Sequence, residues 1–501
     1  MKLLIVIIML LATVVGAVGM GRAKTKSTNI ADWALGKRGL GAVLFWFMNA
    51  GEVYTTFAVL GIAGYAWALG APAYLAFLSV SLSYAVGYWL MPKIWRAGRM
   101  HGLVTQADFF ATRYSAPWLG VLTGLVGICS LIVYVQIQLV SLGLIVSLAL
   151  DSAVSPTTSA IIAGLIMVIF VMFAGLRSAA VAAAVKDILM LVIVVFLSAT
   201  VASKVGAASL LDVFRMAEQA HPNIGKLPGL DPTAPTTAIW LMTSGINIAI
   251  GNWVFPHLFQ VSYAAGSATI VRRNAIWQPL YSLAYFFIIL LGFAALVAGT
   301  QPPGGNLNAA FLQFISDKYP AWIVGVVAGT GFLLALAPGS VLLLTASSIF
   351  GRNVLLQLKP DLSGKASLRA SRIALVVFAG IAVWLALDQH GSLVSILQAA
   401  YSSIGMLAPG VFLGFLWRKT TGIGVVAGMA AGFVILLVPP IYAFFGSIFV
   451  NWELGLIAFA VNILTTVVVS LVTSPPDAQA IATGLNLTAA DATRRSTAMA
   501  G

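Results

Sequence analysis

The chain has 501 residues, of which 60% are hydrophobic and only 8% charged, with a mean hydropathy of +1.00. That balance excludes a soluble globular domain and points to an integral membrane protein. The net charge of +13 does not indicate a nucleic-acid partner, because the basic residues are spread over short loops between apolar runs. A single cysteine, Cys129, lies inside one such run, so neither a disulfide framework nor a thiolate metal site is expected.

A bilayer needs about 20 apolar residues per helical crossing, and the sequence offers thirteen stretches of that kind. They are residues 3–20, 41–69, 72–92, 117–150, 157–175, 183–204, 236–256, 275–298, 321–350, 373–388, 393–417, 422–438 and 452–472. Most of the Lys and Arg residues, among them Arg22, Lys37, Arg96, Arg177, Arg272, Arg352 and Arg418, fall on one side of this weave. By the positive-inside rule that side is cytoplasmic. The N-terminus is then expected outside, and the short tail 473–501 inside. The first span is read as retained: its apolar core exceeds that of a signal peptide and a basic cluster follows it at once. Residues 1–472 are expected to form one transmembrane domain with core repeats at about 41–204 and 236–417.

Between the spans, Thr105 is placed to cap an interfacial helix, and Leu210–Ala220 reads as amphipathic. Within them, the second span carries Gly51-Glu52-Val53-Tyr54-Thr55. Insertion scales charge roughly 2.5–3.5 kcal/mol for an acid at mid-bilayer, so Glu52 calls for a functional reason. The seventh span carries two glycines and two asparagines, Gly245, Asn247, Gly251 and Asn252, and is expected to break there. Pro338-Gly339 in the ninth span and Pro409-Gly410 in the eleventh are further interruptions.

Five spans separate the first two breaks, so spans 2–6 and 7–11 would run with opposite topology. Matched interrupted helices in two inverted halves point to a transporter's midplane site. Freed N–H groups can receive an anion and freed carbonyls a cation. The substrate candidates are therefore Gly51, Tyr54, Thr55, Asn247, Gly251 and Asn252. Glu52 is the candidate coupling group, because desolvation favours reversible protonation of a carboxylate there. Asp187, next to Lys186, is placed near the cytoplasmic end of the sixth span. His257 reads as a packed histidine, and no phosphate-binding loop, nucleotide fingerprint or nucleophile elbow is present. The expectations that follow are no enzyme, no cofactor, no obligate protein partner, and transport driven by an ion gradient.

Several stretches resemble the sodium:solute symporter family: Ile30 to Gly41 at the entry to the second span, and Ala174 to Ala179 with Asp187 in the sixth. Gly51 to Thr55, Phe255-Pro256-His257, Ile270 to Ala275, Ala335 to Ser340 and Phe350 to Asn353 are similar to its monocarboxylate permease branch. The resemblance implies an all-α, leucine-transporter-like 5+5 inverted repeat with one extra N-terminal and two extra C-terminal helices. It further implies alternating access and a substrate such as pyruvate, lactate or a short amino acid, coupled to Na+ or H+. By position it assigns a main sodium site to backbone oxygens of Gly51 and Tyr54 and to Leu334, Ala337 and Pro338. It assigns a second cation position to Asp187 and Ser340. Sodium-binding members carry a hydroxyl pair where this chain has Ala337 and Pro338, which weakens the main site. The alternatives are uptake of an amino acid coupled to sodium, or a ligand-sensing membrane protein of transporter fold.

Overall fold

The computed structural model describes residues 1–22, 29–51, 54–150, 154–173, 176–387, 392–474 and 476–485. These are helical almost throughout; one β-bridge joins Leu40 to Ala265. A chain that crosses hydrocarbon must satisfy its N–H and C=O groups internally, and a helix does so within one segment.

Eighteen helices carry the architecture. α1 is Lys2–Arg22, α2 Ala42–Ala50, α3 Ile62–Leu69, α4 Leu75–Met100, α5 Pro117–Ala149 and α6 Pro156–Phe173. Then come α7 Leu176–Val205, α8 Ala238–Asn252, α9 Pro256–Ala264, α10 Ala268–Tyr281, α11 Ala284–Val297 and α12 Ala321–Ile349. The last six are α13 Gly364–Leu387, α14 Leu393–Gly405, α15 Ala408–Leu416, α16 Gly422–Leu437, α17 Pro439–Ile448 and α18 Leu454–Val472. Among the described residues, seven helices are long and apolar enough to cross a membrane, or ten if each bent pair is one span. The stretches expected from hydropathy all fall on these, or on the shorter apolar helices Lys2–Ala17, Phe57–Leu69 and Thr157–Met172.

Both expected breaks exist, but one is elsewhere. The second span stops at α2, whose last turn closes through the Gly51 N–H to Phe47 O. It resumes as a π-helical turn, Phe57–Gly61, that runs into α3. In the seventh span α8 passes unbroken through Gly245 and Gly251, and the 48° bend falls after Asn252. The glycines there serve close packing instead. A Cβ on Gly245 would lie 2.8 Å from the Leu78 side chain, and one on Gly251 3.1 Å from Tyr401. The bend sits where Pro256 removes an N–H donor. Pro338 likewise fails to break α12, which is continuous and buried around it; Gly339 is where Met167 packs. Pro409 does mark a bend, 43° between α14 and α15.

Outside the spans, Thr105 caps the helix Gln106–Arg113 in a full capping box with Asp108, and Ser209 caps Leu210–Ala220. Asp108 also receives Arg352 Nε at 2.7 Å and Asn353 Nδ2 at 2.8 Å. That ties the interfacial helix to the end of α12.

α16 and α18 pair through small residues. A Cβ on Gly424 would meet Ser470 Oγ at 2.2 Å, and one on Gly428 would meet Thr466 Oγ1 at 2.1 Å. Close approach of this kind is a main source of helix association in lipid. Gly428→Leu is therefore expected to cost about 1–3 kcal/mol through overpacking. A lowered thermal midpoint in detergent would show it, and an unchanged midpoint would contradict the packing.

Candidate functional site

The break in the second span leaves helix ends inside the protein, so its backbone groups need partners. α7 supplies them. Lys186 Nζ donates to Gly51 O at 2.7 Å, to Tyr54 O at 2.9 Å and to Asp187 Oδ1 at 2.7 Å. Lys186 is 1% exposed and Asp187 0%. An ammonium has three N–H donors and no acceptor, so three acceptors at these distances use all of them. Consecutive residues on a helix point to different faces; only the long lysine stem lets Nζ curl back beside the carboxylate of Asp187.

Gly51 is required by the same packing. A Cβ there would lie 2.1 Å from Asp187 Oδ2 and 2.3 Å from Phe47 O. Lys186 and Asp187 both lie in the protein interior against the broken span.

The two carbonyls held by Lys186 are those that the resemblance assigns to sodium. Ala337 and Pro338 are buried and bring no side-chain oxygen. Ser340 is buried and donates its hydroxyl back to Leu336 O. Glu52 lies outside the described residues. Among those described, no three His, Cys, Asp or Glu side chains cluster in a way that could hold a metal ion.

Beyond the break lies a small cavity of about 30 Å³ lined by Phe57, Ser79, Tyr134, Tyr285, Gln398 and Tyr401 together with aliphatic chains. It has room for a water rather than a solute as it stands, and its wall is apolar with a few polar groups. The Tyr54 ring packs between Tyr281, 4.2 Å away, and the cavity-lining Tyr285, stacked at 4.9 Å; its hydroxyl donates to Tyr281 O. A second space of about 20 Å³ lies beside Thr56 among Val59, Ile145, Met190, Phe311 and Leu334. It is almost wholly apolar and suits a charged solute poorly.

None of the other substrate candidates lines the tyrosine-lined cavity. Thr55 Oγ1 accepts the Phe57 N–H at 3.2 Å and caps the helix that resumes there. Asn247 Nδ2 donates to Ser402 Oγ at 3.1 Å, and Asn252 Oδ1 accepts from Tyr401 OH at 2.9 Å. Gly251 lies against Tyr401. These three therefore join α8 to α14, and the cavity wall takes Ile248 from α8. His257 is buried between Tyr134 and Phe255.

Sequence reasoning missed the role of Lys186, the tyrosines and Glu453. The Glu453 carboxylate accepts from Ser402 Oγ at 3.2 Å and Gln398 Nε2 at 3.3 Å. Its backbone N–H donates to Thr243 Oγ1 at 3.0 Å, so it fastens the start of α18 to α8 and α14. Its place just before an apolar run is a readable N-terminal signal; its cross-helix contacts are not.

The sodium:solute symporter family model matches residues 33–432. The chain belongs to the sodium:solute symporter family. It is 32% identical over 464 residues to the uncharacterized symporter YhjB of Bacillus subtilis, covering 91% of this chain and 94% of that one. It is 26% identical over 369 residues to a monocarboxylate transport permease protein of Rhizobium johnstonii, covering 73% of each. Its fold is similar to that of a Na+-coupled sialic acid symporter in a substrate-bound outward-open state. The TM-score there is 0.77 at 15% identity, over 95% of this chain and 98% of the other. The protein is thus a multi-pass membrane solute symporter of leucine-transporter-like fold rather than an enzyme, and the family supports Na+ as coupling cation.

Gly51→Ala is expected to force the Asp187 carboxylate away at a cost of about 1–3 kcal/mol. Transport should fall by about five- to a hundredfold at normal expression. Gly41→Ala, whose added Cβ meets nothing within 4 Å, should transport as the parent does. Equal activity of the two variants would contradict the packing of Asp187 on the break.

Proposed function

We propose that this symporter takes up a small organic anion, a monocarboxylate such as pyruvate or lactate, by alternating access across the cell membrane. The observation that carries the reading is the second-span break beside the tyrosine-lined cavity. The helix that resumes at Phe57 turns its N-terminal, positive end toward that space, which favours a carboxylate. Hydroxyls of Tyr134, Tyr285 and Tyr401 and the Gln398 amide are the polar groups of the wall. The permease name borne by the Rhizobium relative supports the same substrate class.

In this reading Gly51, Tyr54 and Thr55 form one side of the substrate site. Asn247, Gly251 and Asn252 position the other side through Ser402 and Tyr401. Glu52 is the coupling group, and Asp187 and Ser340 are the further coupling-ion candidates. The N-terminus is outside and the C-terminal tail cytoplasmic, as the loop charges require.

Uptake of radiolabelled pyruvate and alanine into proteoliposomes, with sodium and pH gradients imposed separately, tests the substrate. Pyruvate should accumulate above its equilibrium level and unlabelled lactate should compete, while alanine should not. Accumulation of alanine alone, or of neither solute, would contradict the reading. Glu52→Gln is expected to abolish accumulation against a gradient and to leave exchange at equal concentrations. Undiminished uphill uptake by that variant would remove Glu52 from the coupling role.

A further inference from the structure

The carbonyl oxygens freed at a helix break form a natural cation site, and in this chain they are not free. The nitrogen that occupies them belongs to the chain itself, is 1% exposed and has all three of its donors satisfied. We propose that the Lys186 ammonium is the resident cation of the main site, tethered where the resemblance assigns a sodium ion, so that this position takes no sodium.

Three observations converge on it. The acceptors at 2.7, 2.9 and 2.7 Å are two backbone carbonyls from the broken span and one carboxylate. That is the oxygen set a hard monovalent cation would use. Ala337 and Pro338 of α12, the positions the resemblance adds to that site, are both buried and without side-chain oxygen. The oxygens left to the site are those that Nζ already uses, so an ion could take them only where Nζ is gone. Finally, Asp187 already balances the lysine charge. A sodium ion entering beside Nζ would face like-charge repulsion in a medium that screens weakly, and displacing Nζ would strip a buried ammonium of its three bonds.

The consequence is structural as well as ionic. A dissociating ion lets the two halves of a broken span part when it leaves. A tethered one holds α7 to the break through every state in which Nζ stays between Gly51 and Tyr54. Any coupling ion must then act at another position, and Lys186 supplies a fixed charge in place of the one the family would bind.

The test uses purified full-length protein in detergent, with thermal unfolding followed in sodium chloride and in choline chloride at equal concentration. Lys186→Ala vacates the carbonyls. It is expected to gain a sodium-specific rise in midpoint of about 3 °C or more beyond any shown by the parent, as ligand linkage requires. Equal sodium responses in the two proteins would overturn the proposal. If Lys186→Ala does not yield folded protein in either salt, the double variant Ala337→Ser with Pro338→Ser decides. With Lys186 in place, the added hydroxyls should create no sodium response. A response gained there would show that sodium can reach the carbonyls, and would overturn it.

The transport arm alone rests on the symport reading: Lys186→Ala should exchange solute in sodium and lose at least about tenfold in choline, a dependence the parent lacks at this position. A parent that moves no solute under any gradient would defeat the symport reading, while the unfolding comparison would still decide the role of Lys186.

Discussion

Two carbonyls and a carboxylate meet on one buried nitrogen, and the arrangement of the core follows from that meeting. A helix interrupted in hydrocarbon exposes carbonyls at one end and amides at the other, each costly if left unpaired. Lys186 resolves the carbonyl end from a neighbouring helix, and Asp187 balances its charge. Thr55 caps the amide end through the Phe57 N–H. Gly51 lets these groups approach, because no side chain would fit between Asp187 and the last turn of α2. Break, cation and glycine thus form one interdependent unit.

The cavity is built on the same unit. Tyr54, whose carbonyl binds Lys186, also sends its ring between Tyr281 and Tyr285. A change in how Lys186 holds the break would therefore move a ring stacked on Tyr285, which lines the cavity. On the far wall, Asn247 and Asn252 of α8 reach Ser402 and Tyr401 of α14, and Glu453 joins the same helices through Gln398 and Ser402. The region around the cavity is thus held on one side by a charge and on the other by amides and hydroxyls. Such a division suits a site where one helical bundle rocks against another.

Much of this was legible in the residues. Hydropathy located the spans, and Thr105 and Leu210–Ala220 were readable because caps and amphipathic periodicity are local signals. The break at Gly51 was legible too, since a glycine beside an acid in an apolar run is costly without a purpose. The seventh-span break was misplaced because glycine has two uses in lipid. Gly245 and Gly251 admit Leu78 and Tyr401, and only Pro256, which lacks the donor, bends the chain. The burial of Lys186 and Asp187 against the break was not legible, because linear distance from Arg177 does not say which helix they pack on. The tyrosine cluster and the reach of Glu453 depend on contacts between residues more than fifty positions apart, which no single-sequence pattern encodes. The absence of oxygen at Ala337 and Pro338 was visible at once. Its counterpart, the lysine that makes the oxygen unnecessary, needed the fold.

A cryo-EM structure of the full chain determined in sodium chloride, at a resolution that separates side-chain nitrogen from a bound ion, tests the central claim most directly. The account predicts continuous density from the Lys186 stem to a nitrogen within hydrogen-bond distance of the Gly51 and Tyr54 carbonyls and of Asp187. A lysine turned away from the break, with a separate ion-sized peak between those carbonyls, would contradict it.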